Sequence, residues 1–322
     1  MTAKTASDFV SRVPTPEDAQ EIFNLIRAYD LALSKQPDMT IDSVISDWKE
    51  PGFDLARDAR IITTRQGAII GYEIILSVAE DGRIRTDGYV HPNYMNQGVA
   101  TELLRWVEAR AREHLRILPA DARVRLLTGI YGDHAASLDL LQAEGYAAVR
   151  RFWRMIIDMV EPPPTAQWPD GITVRPFVIG QDEHAAWQAL NEIFDEDWEY
   201  IRMPFEEWVA AKITREPFDP SLWHLAIADD EIAGMSRGMY KMDIGWIRSV
   251  GVRRRWRRQG LAMALLHHSF GEFYRRGKRS VGLGVDSENP TGATRLYERA
   301  GMHIAEIFDL CEKELRPGKS RL

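Results

Sequence analysis

Apolar and polar residues alternate along the second half of the chain in a pattern typical of strands. Two mostly apolar segments, Trp223–Ala228 and Glu231–Met235, flank a short acidic turn, and this arrangement predicts a β-hairpin. A third segment, Ile244–Val252, has the length and the β-branched content of another strand. We therefore expect three consecutive strands in this part of the chain.

Directly after Gly260 the apolar residues recur every three to four positions as far as Phe273, the spacing of one buried helix face. Arginines near its end and then Gly277 predict where this helix stops. Strands alternating with helices indicate an α/β fold, in which each domain has a mixed central β-sheet flanked by helices. The other elements expected in this half are a strand at Ile172–Pro176, helices around Ala186–Ile193 and Phe205–Ile213, a strand at Ser280–Val285, a helix at Thr291–Ala300 and a last strand or hairpin at Ile304–Leu315.

The chain divides near its middle at residues 161–171, where three consecutive prolines favour an extended connector. The same order of elements occurs on both sides of it. Gly71 and Gly98 are 27 residues apart, and their counterparts Gly234 and Gly260 are 26 residues apart. This internal repeat predicts two tandem domains, 1–160 and 172–322.

Composition excludes several classes of protein. With 45% apolar residues and ten tryptophans the chain can bury large cores, and a formal net charge of -7 disfavours a general nucleic-acid binder. No apolar run suits a signal peptide or a membrane span, so we expect a cytoplasmic protein without a membrane partner. The single cysteine and the scattered histidines form no metal-ligand pattern, and no metal is expected.

The loop that opens the helix after Gly260 carries chemistry. Its sequence is Arg257-Arg258-Gln259-Gly260-Leu261-Ala262. A glycine turn leading directly into a helix presents backbone N–H groups that have no partner within the helix, and these groups bind anions. Glycine lets the backbone approach closely, and the arginines add charged donors. The loop therefore suits a diphosphate, although an ordinary strand-to-helix connection or a basic nucleic-acid patch has similar residues.

The surrounding residues favour the diphosphate. Ser249-Val250-Gly251-Val252 precedes the loop, and Asn289, Leu296-Tyr297-Glu298 and Gly301-Met302 follow it. In this order the chain resembles the GNAT N-acetyltransferase family, strongly over residues 172–315 and more weakly over 10–158. Among two-domain members it is most similar to the mycothiol synthases, in which the second domain transfers acetyl and the first is a degenerate copy.

The resemblance implies acetyl-CoA as co-substrate and direct attack by a primary amine of a small molecule. By this resemblance backbone groups of β-strand residues hold the pantetheine arm, the glycine loop holds the pyrophosphate, and the segment after Asn289 flanks the thiol end. Tyr297 would then be the general acid that protonates the leaving thiolate. The donor-binding residues so implied are Val250, Gly251, Val252, Arg257, Arg258, Gln259, Gly260, Leu261, Ala262, Met263, Asn289, Thr291, Gly292, Ala293 and Thr294.

The acceptor side departs from the relatives. Where mycothiol synthases have a glutamate base, this chain has Trp246. The proton of the amine must therefore leave through Asp243, through an acidic residue of the entry helix of this domain, or through ordered water. Asp195 and Trp198 lie in an acidic and aromatic run that would suit a cationic amine, and a solvated helix end explains the same run equally well.

Other functions are consistent with parts of the sequence. The first half has Leu141 in the position of Tyr297, so it either holds acetyl-CoA without catalysis or only supports the second half. Gly234-Met235-Ser236-Arg237-Gly238 matches the nucleophile elbow of serine hydrolases, but the expected hairpin around it argues against that class. A non-catalytic acetyl-CoA sensor is a further alternative. A monomer and a homodimer are both compatible with the sequence.

Overall fold

The computed structural model of the chain describes residues 9–37, 39–198, 200–215 and 218–319. These residues form two compact units. Unit 1 contains the described residues up to Arg151 together with those from Phe308 onward, and unit 2 contains Phe152–Ile307. Each unit is a β-sheet with helices packed against it, as the α/β pattern predicts.

Unit 1 has the strand order β1-β2-β3-β4-β5-β12, in which β4 and β5 are parallel and the other recorded pairs are antiparallel. The elements that lie in unit 1, wholly or in part, are β1 (Phe9–Arg12), α1 (Ala19–Ala32), α2 (Ile41–Asp47), α3 (Leu55–Asp58), β2 (Ala59–Thr64), β3 (Ile69–Val78), β4 (Arg83–Val90), α4 (Val99–Glu113), β5 (Val124–Tyr131), α5 (Ala135–Ala143) and the second part of β12 (His303–Arg316).

Unit 2 repeats this plan with the order β6-β11-β10-β9-β8-β7, and here β10 and β11 are the parallel pair. Its elements are most of β6 (Ala147–Asp158), β7 (Thr173–Pro176), α6 (Glu183–Phe194), α7 (Phe205–Val209), β8 (Trp223–Ala228), β9 (Glu231–Lys241), β10 (Ile244–Val252), α8 (Leu261–Arg275), β11 (Ser280–Asp286) and α9 (Ala293–Arg299). The expected hairpin is β8–β9, and the expected third strand is β10.

The glycine loops of the two units have the same backbone conformation. Gly98 and Gly260 cap α4 and α8 with φ of 85° and 86°, and the residues two positions earlier, Asn96 and Arg258, have φ of 59° and 64°. Both helices are 15 residues long. Because positive φ is uncommon for residues other than glycine, its recurrence at matching positions supports a duplicated domain.

Helix α8 forms where its apolar face can be buried. Leu265, Leu266, Phe270 and Phe273 are each at most 1% exposed and pack against the sheet of unit 2. Gly277, with φ of 81°, ends the helical run as its sequence predicts. This packing fixes the first turn of α8, and with it the glycine loop, at one edge of the sheet.

The structure differs from the expected elements at several boundaries. The helix expected over Phe205–Ile213 ends as α7 at Val209 and continues as a π-helical segment, Ala210–Arg215. Helix α9 begins at Ala293 because Gly292 takes a left-handed φ of 76° as its cap. The two units also differ from the ranges 1–160 and 172–322, because most of β6 lies in unit 2 and most of β12 in unit 1. Domain limits at the proline-rich connector stay a prediction.

Candidate active site

The parallel strands β10 and β11 separate at one end of unit 2. Their last pair in the described part of the chain is Ile247 with Leu283, although β10 continues to Val252. A β-bulge between Ile247 and Ser249 shifts the register of β10 against β9 just before the separation. Residues Ser249 to Val252 remain paired with β9 on one side. Their other edge faces the gap, which we call the cleft of unit 2.

Gly251 lies in this edge and is closely covered by α6. A Cβ atom at Gly251 would lie 2.2 Å from Cγ2 of Ile193, far inside any allowed contact. On the neighbouring strand, a Cβ at Gly234 would lie 2.8 Å from the carbonyl oxygen of Gly251. The absence of side chains at both positions therefore allows α6, β9 and β10 to pack closely beside the cleft.

The glycine loop stands at the end of the same strand. Arg258, Gln259 and Gly260 are exposed, and the N–H groups of the first turn of α8 follow them. The N-terminus of a 15-residue helix attracts anions through these N–H groups and its dipole. A Cβ at Gly260 would meet nothing within 4 Å, so the space over the loop is open.

Arg257, which the sequence places at the pyrophosphate, turns its side chain toward α6. Its Nε donates to the carbonyl oxygen of Val252 at 3.1 Å, and its Nη1 lies 2.7 Å from Oε2 of Glu196. Arg254 approaches the other oxygen of Glu196 at 2.8 Å. The hydrogen bond from Arg257 lowers the pKa of Glu196. Arg257 thus braces the loop against the end of α6, and Arg258 is the arginine of the loop that faces solvent.

Tyr297 is on α9, and 7% of its surface is exposed. It belongs to the hydrophobic cluster against which Val250 of the cleft edge and Met263 of α8 also pack. Burial raises the pKa of its hydroxyl, and the negative charge of Asp197 raises it further. The phenol therefore keeps its proton throughout the neutral pH range, as a proton donor must.

Asp197 follows α6 and connects to the residues after β11. Nδ2 of Asn289 donates to Oδ1 of Asp197 at 3.4 Å, while Oδ1 of Asn289 accepts from the backbone N–H of Thr291 at 3.0 Å and from its hydroxyl at 2.5 Å. Burial and, secondarily, the charge of Asp286 raise the pKa of Asp197. Sequence reasoning placed Asp197 only within an acidic run, because nothing in the chain pattern distinguishes it from its neighbours.

The remaining acceptor-side residues occupy different surroundings. Asp195 is exposed and pairs with Arg202 at 3.0 Å, as a solvated helix end would. Trp198 lies with its ring 6.4 Å from that of Phe152. Trp246 packs over Gly282, where a Cβ would meet its ring at 2.6 Å, and Nζ of Lys241 lies 4.9 Å from the ring centre.

Asp243 is not brought to the cleft. It is exposed in the turn between β9 and β10, at the far end of β10 from Gly251. The two residues are eight positions apart, which corresponds to roughly 26 Å of extended strand at a rise of about 3.3 Å per residue. This position does not support the sequence-based choice of Asp243 as a base.

Ser236 cannot serve as a hydrolase nucleophile in this fold. It is completely buried in the middle of β9, with no helix following it, whereas an elbow requires a sharp strand-to-helix turn. Its hydroxyl lies 2.6 Å from that of Ser269 and 3.4 Å from Nδ1 of His224. Burial lowers the pKa of His224 to about 4. These groups form a neutral buried network between β8, β9 and α8.

The corresponding cleft in unit 1 is filled by aromatic rings. Strands β4 and β5 pair as far as Thr86 with Thr128 and then separate. The ring of Tyr29, from α1, lies 5.6 Å from that of Tyr89 on β4 and 6.4 Å from that of Tyr131 on β5. Tyr89 occupies the position that Gly251 has in unit 2.

Hydrogen bonds hold these rings in place. The hydroxyl of Tyr89 donates to Asp87 at 2.7 Å, and that of Tyr131 donates to Asp30 at 3.0 Å. Burial raises the pKa of Asp87 to about 6. At the position of Tyr297, unit 1 has Leu141, which is 4% exposed. Unit 1 therefore lacks both the open cleft edge and the tyrosine of α9.

Within the described ranges, no helix has the length and apolar content needed to cross a bilayer. Among the same residues, no group of three His, Cys, Asp or Glu side chains is placed to hold a metal ion.

The chain is similar in sequence to a family of known proteins. The acetyltransferase (GNAT) family model matches residues 20–127 and 187–302. Mycothiol acetyltransferase of Pseudarthrobacter chlorophenolicus is 33% identical over 225 residues, which cover 66% of this chain and 64% of that protein. The protein of the same name from Arthrobacter sp. strain FB24 is 30% identical over 246 residues, covering 72% of this chain and 71% of the relative.

Solved structures of N-acetyltransferases are also similar to this chain. A GCN5-related N-acetyltransferase from Sphaerobacter thermophilus superposes with a TM-score of 0.88 and 38% identity, covering 98% of this chain and 99% of that one. A tandem GNAT protein from the clavulanic acid biosynthesis pathway has a TM-score of 0.70 at 16% identity, covering 97% and 99%, which is a likeness in fold. The two matched regions lie one in each unit, as the internal repeat predicts. The chain belongs to the acetyltransferase (GNAT) family.

Proposed function

We propose that unit 2 transfers an acetyl group from acetyl-CoA to a primary amine of a small molecule. The observation that carries this proposal is the convergence of three features at one place. The free edge of β10 at Val250–Val252, the first turn of α8 after Gly260 and the buried Tyr297 meet at one hydrophobic cluster, which contains Tyr297 and against which Val250 and Met263 pack. Acetyl-CoA is long, with phosphates at one end and the reactive thioester at the other, and it therefore matches the arrangement of these three features.

The edge of β10 suits the pantetheine arm, whose amides alternate donors and acceptors as a strand does. The exposed loop of Arg258, Gln259 and Gly260, with the first turn of α8 over Leu261–Met263, suits the pyrophosphate. The turn from Asn289 to Thr294 then flanks the thiol end. Arg257 supports the loop through α6 and contributes its charge at a distance.

In the reaction, the neutral amine attacks the thioester carbonyl, and the carbon–sulfur bond breaks. Backbone N–H groups at the cleft edge stabilise the negative charge that develops on the carbonyl oxygen. Tyr297 gives its proton to the departing thiolate, and its raised pKa means that the hydroxyl is still protonated when the thiolate departs. Trp198 and Trp246 provide aromatic surface on the acceptor side, with Asp195 at its solvated rim.

A thiol-release assay tests the function. The purified chain is given acetyl-CoA with alkylamines, amino sugars and amino-acid amides, and free CoA is measured against a blank without acceptor. We expect acceptor-dependent release and a matching mass increase of the acceptor. Tight acetyl-CoA binding with no release for any acceptor would contradict the proposal and favour a sensor.

We also predict that one acetyl-CoA binds per chain, because the tyrosines of unit 1 fill its cleft. Gly260→Asp and Gly98→Asp form a matched pair, since both positions have the same φ and open space around a new Cβ. An added carboxylate at Gly260 should weaken binding at least about tenfold by repelling the pyrophosphate. The same change at Gly98 should leave affinity unchanged.

Isothermal titration calorimetry measures both quantities. A stoichiometry near two for the wild type, or equal effects of the two substitutions, would show that unit 1 also holds the donor.

A further inference from the structure

An alkylamine acceptor reaches the enzyme mainly as an ammonium ion, since its pKa is near 10.4 in water. Attack on the thioester needs the lone pair, so some group must take a proton. Asp243 is at the wrong end of β10, Asp195 is exposed and bound to Arg202, and Trp246 cannot act as a base. The proton acceptor must therefore lie elsewhere.

We propose that the carboxylate of Asp197 accepts the proton of the acceptor's ammonium group, a role that rests on the proposed acetyl transfer. Asp197 stands where the end of α6 meets the turn after β11, bonded to Asn289. Asn289 is itself held by the backbone and the hydroxyl of Thr291. The carboxylate is thus fixed by a turn that flanks the cleft.

The negative charge of Asp197 also acts on Tyr297. Asn289, to which Asp197 is bonded, lies in the turn that leads into α9, the helix that carries Tyr297, and the charge of Asp197 contributes to the raised pKa of the tyrosine hydroxyl. One of them is an anion that can gain a proton, and the other is a phenol that can lose one. An acid and a base on facing elements are what a transfer from amine to thiolate needs.

The groups around Asp197 adjust its basicity. Burial and the charges of Asp286 and Glu196 raise its pKa, while the hydrogen bond from Asn289 and the charge of Arg257 lower it, and the net shift is upward. A carboxylate with a raised pKa is a stronger base. Asp195 lacks this enclosure, although it is two residues away and carries the same side chain.

The proton balance is complete. One N–H bond of the ammonium breaks and its proton joins Asp197, and the freed pair forms the C–N bond. The C–S bond breaks and the thiolate takes the proton of Tyr297. The second proton of the new amide nitrogen then leaves to solvent, and Asp197 and Tyr297 exchange one proton with water to return to their starting states.

The test compares Asp197→Asn with Asp230→Asn for two acceptors of one skeleton, an alkylamine and the corresponding arylamine, which is already neutral at pH 7. For the alkylamine, Asp197→Asn should lower kcat/KM about 100-fold. For the arylamine the loss should stay below about threefold, because no ammonium proton has to be removed. Asp230→Asn, at an exposed position in the turn between β8 and β9, should change neither rate by more than about twofold.

The results of this test distinguish the role of Asp197 from the proposed acetyl transfer. Equal losses for both acceptors, or unchanged rates in Asp197→Asn, would overturn the role of Asp197 while wild-type transfer upholds the proposed function. Absence of wild-type transfer would overturn both. Acetyl-CoA affinity by calorimetry shows whether the variant is folded. If it is not, Asp197→Glu replaces it, and that variant should keep the wild-type ratio between the two acceptors, whereas a changed ratio would contradict the proposal.

Discussion

Replacing Tyr297 with phenylalanine is expected to lower kcat about 100- to 1,000-fold and to leave acetyl-CoA affinity within about twofold. The substitution removes one oxygen from a side chain that is 7% exposed and packed in a hydrophobic cluster. The ring and its packing remain, but the hydroxyl that is proposed to protonate the leaving thiolate is lost. Steady-state kinetics with calorimetry on the same preparation measures both quantities.

Tyr274→Phe is the control, since Tyr274 packs against the same cluster from the far end of α8. It should retain wild-type kcat. Full turnover in Tyr297→Phe, or a loss of acetyl-CoA affinity that matches the loss of rate, would remove Tyr297 from the role of acid.

Adding a single methyl group at Gly251 is expected to close the cleft to the donor. The new Cβ would lie 2.2 Å from Cγ2 of Ile193, so the end of α6 or the edge of β10 must move. Such overpacking typically costs about 1–3 kcal/mol of folding free energy. Because the same backbone edge is proposed to hold the pantetheine arm, we expect Gly251→Ala to raise the KM for acetyl-CoA at least about tenfold.

Removing the clashing atom should reverse part of this effect. In the double variant Gly251→Ala with Ile193→Ala, the new methyl group occupies the space that Cγ2 leaves. We expect a favourable coupling of about 1 kcal/mol or more between the two sites in urea denaturation. Gly284→Ala, where a Cβ meets nothing within 4 Å, should be close to neutral. Additive effects at Gly251 and Ile193 would contradict the steric explanation.

Local pattern predicted the scaffold of the site well. The bounds of β10 agree with the apolar run Ile244–Val252, and α8 begins after Gly260 as expected. Both follow from interactions between near neighbours, namely side-chain alternation, a glycine with positive φ and a helix face with regular spacing. The repeated glycine spacing likewise indicated the duplicated fold that the family match confirms.

The parts of the site that the sequence pattern could not predict depend on contacts between residues far apart in the chain. Arg257 bonds to Glu196, about sixty residues earlier, and Asn289 bonds to Asp197, about ninety residues earlier. Asp243 and Asp197 have the same side chain, and the sequence pattern does not distinguish them. In the folded chain Asp243 is exposed in the turn between β9 and β10, whereas Asp197 follows α6 and bonds to Asn289. The aromatic filling of unit 1 also depends on Tyr29, Tyr89 and Tyr131 meeting from three separate elements.

Strand β12 has a consequence for how the chain is made. From Phe308 to Arg316 it pairs with β5 of unit 1, although Phe308 comes 177 positions after its partner Tyr131. A growing chain leaves the ribosome from its N-terminus, so β5 waits for its partner until all of unit 2 has been synthesised. During that interval its open edge can pair with other chains. Translation that stops at the proline-rich connector should therefore yield an aggregating fragment, and a chain extended through the fourteen residues of β12 should regain solubility.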